Sequence, residues 1–339
     1  MNRHRVLFTG SMLTPADIEW MQQNNLDVKI CAGDLSESEL ARELAGQDAY
    51  ILAGVERASA SALSAADELK VVAFLGVGYH AFIDIETATA AGIAVTNAPG
   101  ANARAVAEFT IGLTLNAWRQ VTYLAQQTKA GRWQEVMGRN LEEKTFGIVG
   151  MGTIGSMVAR TAALGLGMRV VYTNRTPKPE LERDIAARRV DLSELVANSD
   201  VISLHVAYGP ETDGMLGEAE LAAVKPGAIL INTSEAELVD AAALRTALVE
   251  GRLVAAAMDG YYIEPVPAVS ADPYGLLALG DDQLLVTPHT ANATQESFRA
   301  MLTANIESIR NILEMGDDPR IVNPRFRDHA LWLRASDRI

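Results

Sequence analysis

The sequence predicts an α/β fold of two domains, each a parallel sheet flanked by helices, with the second domain inserted into the first. Three observations carry this. The chain has 339 residues, long for a single core and natural for about two domains. Short apolar runs alternate with helix-like stretches, the pattern of βαβ units. A glycine-rich strand-to-helix junction lies near the middle, and a long amphipathic segment follows near the end.

The elements follow in order. Residues 6–9 are a short apolar run and form a first strand, 15–24 is helical, and 27–30 is a second strand. Residues 36–44 are a helix, 49–52 and 71–75 are further strands, and 93–96 is a fifth. This is a flavodoxin-like unit of about 100 residues. Asn97-Ala98-Pro99-Gly100 is a turn, and the chain is strongly helical from Ala101. The stretch 105–118 is almost wholly apolar, so it is expected to be buried between domains or subunits. Residues 129–143 are polar and irregular, and a second set of alternating units runs from Thr145 to about Thr294. Residues 295–314 form a long amphipathic helix that returns to the first domain. The expected division is therefore 1–100 with 295–339, and 101–294. The tail from Phe326 is polar with Trp332 embedded in it and suggests no function.

Composition narrows the function classes. Hydrophobic content of 49% and charged content of 21% are ordinary for a globular protein. A formal net charge of −14 disfavours nucleic acid and anionic membrane partners, because phosphates are repelled. The one cysteine, Cys31, allows no intrachain disulfide and no cysteine-based zinc site. It reads as a small buried apolar residue, and its isolation fits a reducing cytoplasm. The amino-terminal segment lacks the apolar core of a signal peptide, and no apolar run reaches the ~18 residues that span a bilayer.

Phe146-Gly147-Ile148-Val149 has the pattern of a buried strand and runs into Gly150-Met151-Gly152-Thr153-Ile154-Gly155, then into a helical stretch, 156–164. A GxGxxG between strand and helix is the dinucleotide-binding fingerprint of a Rossmann-like domain. Gly150 permits the tight turn, Gly152 lets the backbone approach a pyrophosphate, and Gly155 lets helix and sheet pack closely. Amides at the helix start, from Thr153 and Ile154 onward, are positioned for the phosphates. The next strand, 169–173, ends at Asn174, followed by Arg175 and Thr176. An NAD site commonly has Asp or Glu in the Asn174 slot. With that carboxylate absent and a guanidinium beside it, NADP(H) is the preferred cofactor and NAD(H) the second. The bland reading of Arg175 is a solvated charge. Lys178 lies between two prolines, which leaves its direction open.

Two polar residues end strands later in this domain. Thr287-Pro288-His289 follows the apolar run 284–286, and Met258-Asp259-Gly260-Tyr261-Tyr262-Ile263-Glu264-Pro265 ends another strand. Carboxyl ends of parallel strands are where α/β sheets bind ligands. A Glu beside a His orients the imidazole and favours its proton-bearing form, suited to general acid–base work.

These segments, with Asn97-Ala98-Pro99-Gly100, Val106-Ala107-Glu108, Ser203-Leu204-His205, Glu211-Thr212 and the stretch from Pro226 to Asp240, resemble the D-isomer-specific 2-hydroxyacid dehydrogenases. That family includes phosphoglycerate dehydrogenase and glyoxylate/hydroxypyruvate reductase. The likeness covers about residues 5–325. It implies hydride transfer between a nicotinamide and a substrate carbonyl, with His289 giving or taking the hydroxyl proton and Glu264 holding His289. It implies that Asp259 and Thr233 lie on the cofactor side, and that Gly76-Val77-Gly78 with Tyr79 offers amides to the substrate. His205 reads as structural or cofactor-facing, and His4, His80 and His329 as surface or packing residues. By resemblance the helix 101–119 supports a homodimer, and no metal is expected.

One position breaks the pattern. The family places an arginine where this chain has Glu235. Such an arginine clamps the substrate carboxylate, a contact worth about 3 kcal/mol of transition-state stabilisation. An ionised Glu would instead repel that carboxylate, by about 4 kcal/mol at ~4 Å in an effective dielectric of ~20. Further departures lie close by. Ala236 stands for the usual glycine, Gly260-Tyr261-Tyr262 for "VFE", and Ala207 for a proline, while residues 79–84 run one residue longer than usual. Three readings follow. Glu235 serves a non-standard substrate that bears a hydroxyl or a cationic group; or the enzyme is an ordinary 2-keto acid reductase with another cation, Arg104 being the candidate; or the chain is a catalytically silent dinucleotide sensor.

Overall fold

The computed structural model describes residues 3–332. The chain packs as two units, one holding the residues up to Asn102 together with those from Gln295, the other Ala103–Thr294.

The first unit contains β1 (His4–Thr9), α1 (Pro15–Gln23), β2 (Leu26–Cys31), α2 (Glu37–Leu44), β3 (Ala49–Leu52), α3 (Ala60–Ser64), β4 (Val71–Phe74), α4 (Ile85–Ala90) and β5 (Ala94–Thr96). The five strands pair in parallel in the order β2-β1-β3-β4-β5. Side chains alternate between the two faces of a strand, so the continuous apolar run of β1 serves two cores. Val6 and Phe8 pack with Ile51, Val71 and Ala73 on one face. Leu7 packs with Tyr50, Leu52 and Val72 on the other, under Leu40 and Leu44 of α2. Thr14 opens α1 in a capping box with Asp17, which supplies acceptors for amides that a helix start leaves unpaired.

Two expectations change here. Cys31 is half-buried against the margin of the second of these cores rather than inside it, and its Sγ donates to Glu43 Oε2 at 3.3 Å. It ends β2, the edge strand, where one side of the sheet has no strand to cover it. The segment from Phe326 to Trp332 packs on this unit. Phe326 is fully buried, Trp332 meets its ring edge-on at 5.0 Å, and Trp332 Nε1 donates to Gly92 O at 2.7 Å. The rest of that tail lies outside the described residues. The short helices α3 and α4 have too few residues to show a period in the sequence.

The second unit contains α5 (Ala103–Arg119), α6 (Val121–Lys129), β6 (Thr145–Val149), α7 (Thr153–Arg160), β7 (Arg169–Thr173), α8 (Pro179–Ile185), β8 (Arg188–Arg189), α9 (Leu192–Asn198), β9 (Val201–Leu204), α10 (Glu218–Ala222), β10 (Ala228–Asn232), α11 (Ala241–Val249), β11 (Leu253–Asp259) and β12 (Leu284–Thr287). Its seven strands are parallel in the order β12-β11-β10-β9-β6-β7-β8. The apolar helix α5 sends Ala107, Leu113 and Trp118 into a core shared with Phe146, Ile148, Ile229 and Ile231. Helix α7 passes into one wider turn at Thr161–Gly165. The stretch 130–140 is exposed, Trp133 and Met137 keeping 85% and 97% of their surface. It is tethered where Trp118 Nε1 donates to Arg139 O at 2.8 Å and the Arg139 guanidinium lies 4.3 Å over the Trp118 ring.

The last helix, α12 (Gln295–Met315), belongs to the first unit. Its buried Met301, Leu302, Ile306 and Ile309 cover the sheet face that carries Val6 and Phe8. No described helix is long and apolar enough to cross a membrane.

Candidate active site

The dinucleotide turn begins where β6 ends. Gly150 has φ +96°, and a Cβ there would lie 2.5 Å from His205 O, so only glycine fits. A Cβ on Gly155 would lie 2.1 Å from Gly150 O, which is how close helix and turn have come. At Gly152 a Cβ would meet nothing within 4 Å, so the backbone there faces open space. Gly152 caps α7, and the first amides of a helix have no partner within it. Thr153, Ile154 and Gly155 supply those amides. A turn of this shape, open in front of Gly152, suits a pyrophosphate.

Asn174 lies beside this turn, but its side chain is engaged within the chain. Its Oδ1 accepts from Met151 N at 3.1 Å, and its Nδ2 donates to Thr176 O at 2.8 Å. Arg175 is exposed. Arg189 on β8, which no sequence motif marks, donates to Asn174 O at 2.9 Å and Arg175 O at 3.1 Å. It fixes the backbone that presents Arg175. Thr233 shares a hydrogen bond with Thr110 at 2.8 Å, which binds the end of β10 to α5.

The residues expected on the reaction side, Glu235, Glu264 and His289, follow the carboxyl ends of β10, β11 and β12. His289 Nδ1 lies 3.2 Å from both oxygens of Glu264, and about half of each side chain is accessible. Glu264 Oε1 also accepts from Tyr261 N at 3.0 Å, so the carboxylate is held from two directions. Gly260 makes the pairing feasible. Its φ is +108°, and a Cβ there would fall 2.8 Å from Glu264 Oε1 and 3.4 Å from His289 Nδ1. Asp259 is only 3% exposed. Its carboxylate accepts from Thr287 Oγ1 at 2.6 Å, Thr290 N at 2.9 Å and Ala291 N at 2.7 Å. What these bonds do is clamp the loop bearing His289 to the end of β11.

Glu235 follows β10. Asn232 Nδ2 donates to Glu235 O at 2.9 Å and Ser234 Oγ to Leu204 O at 3.2 Å, which fixes the backbone on both sides. Dehydration by surrounding protein raises the pKa of its carboxyl above the ordinary value; His289 opposes this, and Glu237 and Glu264 add to it. The residue remains exposed at its surface, so the dehydration is partial. Glu235 thus senses the charge of both members of the His289–Glu264 pair.

In the first unit, the loop after β4 is anchored through its carbonyls. Gly76 O accepts from Ala98 N at 2.8 Å and Val77 O from Asn97 Nδ2 at 2.9 Å. Val77 and Gly78 are exposed, and their amides bond to no described residue. The rings of Tyr79 and His80 lie tilted by 35°, with centres 4.1 Å apart.

Comparison with known proteins is decisive about ancestry. Residues 111–291 match the family described as D-isomer specific 2-hydroxyacid dehydrogenase, NAD binding domain. The chain is 36% identical to a glyoxylate reductase of Thermococcus litoralis over 285 residues, 81% of this chain and 83% of that protein. The chain belongs to the D-isomer specific 2-hydroxyacid dehydrogenase family. It is also 36% identical to a D-3-phosphoglycerate dehydrogenase of Archaeoglobus fulgidus over 282 residues, 83% of this chain but only 52% of that longer protein. The solved TT0316 protein of Thermus thermophilus superposes with a TM-score of 0.82 at 35% identity, covering 94% of this chain and 99% of that one. The family's chemistry is oxidoreduction at CH–OH groups with a nicotinamide dinucleotide.

His205 follows the end of β9. Its Nε2 lies 2.9 Å from Ser203 Oγ, and burial lowers its pKa from 6.5 to about 3. In the unfolded chain the imidazole titrates near 6.5, so between those values the unfolded state binds the extra proton. Stability therefore falls as pH drops below about 6.5 and is untouched above it, with a slope of at most ~1.4 kcal/mol per pH unit from this group. Urea unfolding at about pH 5 and about pH 7 should show a shallower pH dependence for His205→Gln than for wild type. An identical slope removes His205 from the account of acid sensitivity.

Proposed function

We propose that this family member is an NADP(H)-preferring oxidoreductase whose carbonyl substrate lies outside the simple 2-keto acids. The observation that carries the reading is Glu235 just past the end of β10, beside the strands β11 and β12 whose ends lead into Glu264 and His289, where the sequence resemblance calls for arginine. The nicotinamide supplies or accepts hydride at the carbonyl carbon when bound. The chain's own residues do the rest. Glu264 takes the Nδ1 proton of His289 in a hydrogen bond, which leaves Nε2 to exchange a proton with the substrate oxygen. Glu235 accepts a hydroxyl or ammonium group of the substrate. The amides of Val77 and Gly78 remain available as donors. Preference for NADP(H) is supported by Asn174 in the acidic slot and by Arg175, whose backbone Arg189 braces.

One observation favours a second reading, an ordinary glyoxylate or hydroxypyruvate reductase. The relative of Thermococcus litoralis is named glyoxylate reductase and is matched over most of its length. That reading needs a substitute cation. Arg104 is the candidate, 76% exposed at its side chain and 3.7 Å from Glu108 one helical turn on. A cytoplasmic location fits the single free Cys31, and a homodimer fits the exposed Trp133 and Met137 on the segment after α6.

Turnover of NADPH and NADH is measured against two panels, simple 2-keto acids on one side and amino- or polyhydroxy-carbonyl compounds on the other. Activity confined to the second panel, with NADPH the better cofactor, is expected. Turnover of glyoxylate, hydroxypyruvate or pyruvate alone sinks the non-standard substrate and leaves the ordinary reductase. Sedimentation of the same preparation as a monomer removes the homodimer.

A further inference from the structure

Residues 174–178, the loop between β7 and α8, lie near water yet are bonded almost throughout to side chains of the protein. At one end Asn174 Oδ1 accepts from Met151 N at 3.1 Å, which ties the loop to the glycine turn. Asn174 Nδ2 donates to Thr176 O at 2.8 Å. At the other end Tyr172 Oη accepts from Lys178 N at 2.8 Å and donates to Glu182 Oε1 at 2.7 Å. The carbonyls between are taken by Arg189, whose Nε and Nη2 donate to Asn174 O at 3.2 and 2.9 Å and whose Nη2 donates to Arg175 O at 3.1 Å. Arg175, Thr176 and Pro177 are exposed, and water could satisfy their polar groups, so these bonds serve shape more than satisfaction. A loop fixed before its ligand arrives loses less freedom on binding it.

Arg189 is the unusual group. A guanidinium carries five N–H donors in one rigid plane. Nε and Nη2 serve the two carbonyls, and the N–H groups of Nη1 bond to no described residue. Its charge meets no carboxylate either. The neighbouring arginines are neutralised: Arg160 lies 2.9 Å and Arg183 3.5 Å from Asp184, and Arg188 lies 2.7 Å from Glu194. Among the described residues Arg189 and Arg175 form no such pair. In a chain of net charge −14, two cations without counter-ions on one fixed loop mark a place for an anion. The register pairs Tyr172 with Arg189 and β7 with β6, so this place lies at the strand end beside the dinucleotide turn, where such a sheet receives the adenosine ribose.

We propose that Arg189 is itself a ligand of the cofactor's 2′-phosphate, joining Arg175, and so a specificity-determining residue of the cofactor site. The inference rests on the preference for NADP(H) given above. Nε and Nη2 hold the loop while Nη1 carries N–H groups to phosphate oxygens; a lysine ammonium lacks the fork for both tasks. The test is equilibrium binding to the full chain with no carbonyl substrate present, reading the ratio of the dissociation constants of NADH and NADPH from fluorescence. Wild type should bind NADPH the more tightly. Arg189→Gln should lower that preference about tenfold and leave NADH binding within about twofold. The same substitution on an Arg175→Gln background separates contact from bracing. Contact gives a further fall of about threefold or more, whereas a residue that only holds Arg175 in place gives none, which overturns the proposal. If Arg189→Gln also loses NADH, its fold is disturbed and Arg189→Lys carries the test: its preference should fall, though less, and an unchanged preference overturns the proposal. A wild type that prefers NADPH, with Arg189→Gln equally selective, overturns this inference alone. A wild type with no preference overturns the NADP(H) reading and this inference with it.

Discussion

Replacing His289 by alanine should lower kcat by about 10²- to 10⁴-fold, the range for loss of a positioned acid or base, while NADPH still binds. The residue donates no atom to the dinucleotide turn, which is built by Gly150, Gly152 and Gly155 at the other side of β9 and β10. It is also half accessible and packs in no core, so its removal leaves the sheet intact. The measurement is steady-state turnover on whichever carbonyl the wild type accepts, paired with the dissociation constant for NADPH from fluorescence. Near-wild-type turnover shows that the proton moves elsewhere. Lost turnover with lost NADPH binding shows that the substitution disturbed the fold, and the role of His289 then rests on Glu264→Gln. That variant keeps the shape of the pair but removes its charge.

Glu235→Arg should raise turnover of glyoxylate by about 10²- to 10³-fold over wild type, the scale attached to one donor aimed at developing negative charge. Two changes act together. A carboxylate that repels the substrate carboxylate is removed, and a guanidinium that can grip it by two bonds is installed. Glu237 and Glu264 would then face a cation rather than a third carboxylate, so the local charge also improves. Wild type inactive and variant active identifies position 235 as a specificity switch. A wild type already active on glyoxylate means another residue performs the arginine's task. The neighbouring Ala236, Gly260 and Tyr262 limit the gain, since Tyr262 Oη donates to Val239 O at 2.8 Å and sets the course of this loop.

What could be read from the chain by itself was what depends on short range. Alternating apolar runs predicted the strands, because a buried parallel strand needs apolar residues on both faces. Gly150, Gly152 and Gly155 are legible because a turn and a close helix approach demand glycine at fixed spacing. His289 and Glu264 stand out as polar residues at strand ends, and Glu235 as a reversal of charge inside a familiar segment. The tertiary structure decided whatever depends on lateral strand pairing. It placed β10, β11 and β12 side by side, so that Glu235 senses His289 and Glu264, and Asp259 clamps Thr290 and Ala291. It put Arg189 of the two-residue β8 against Asn174, a bond no spacing rule anticipates. Arg189 is unremarkable in its own stretch of sequence. Its meaning arises only where β7 and β8 pair at one edge of a sheet.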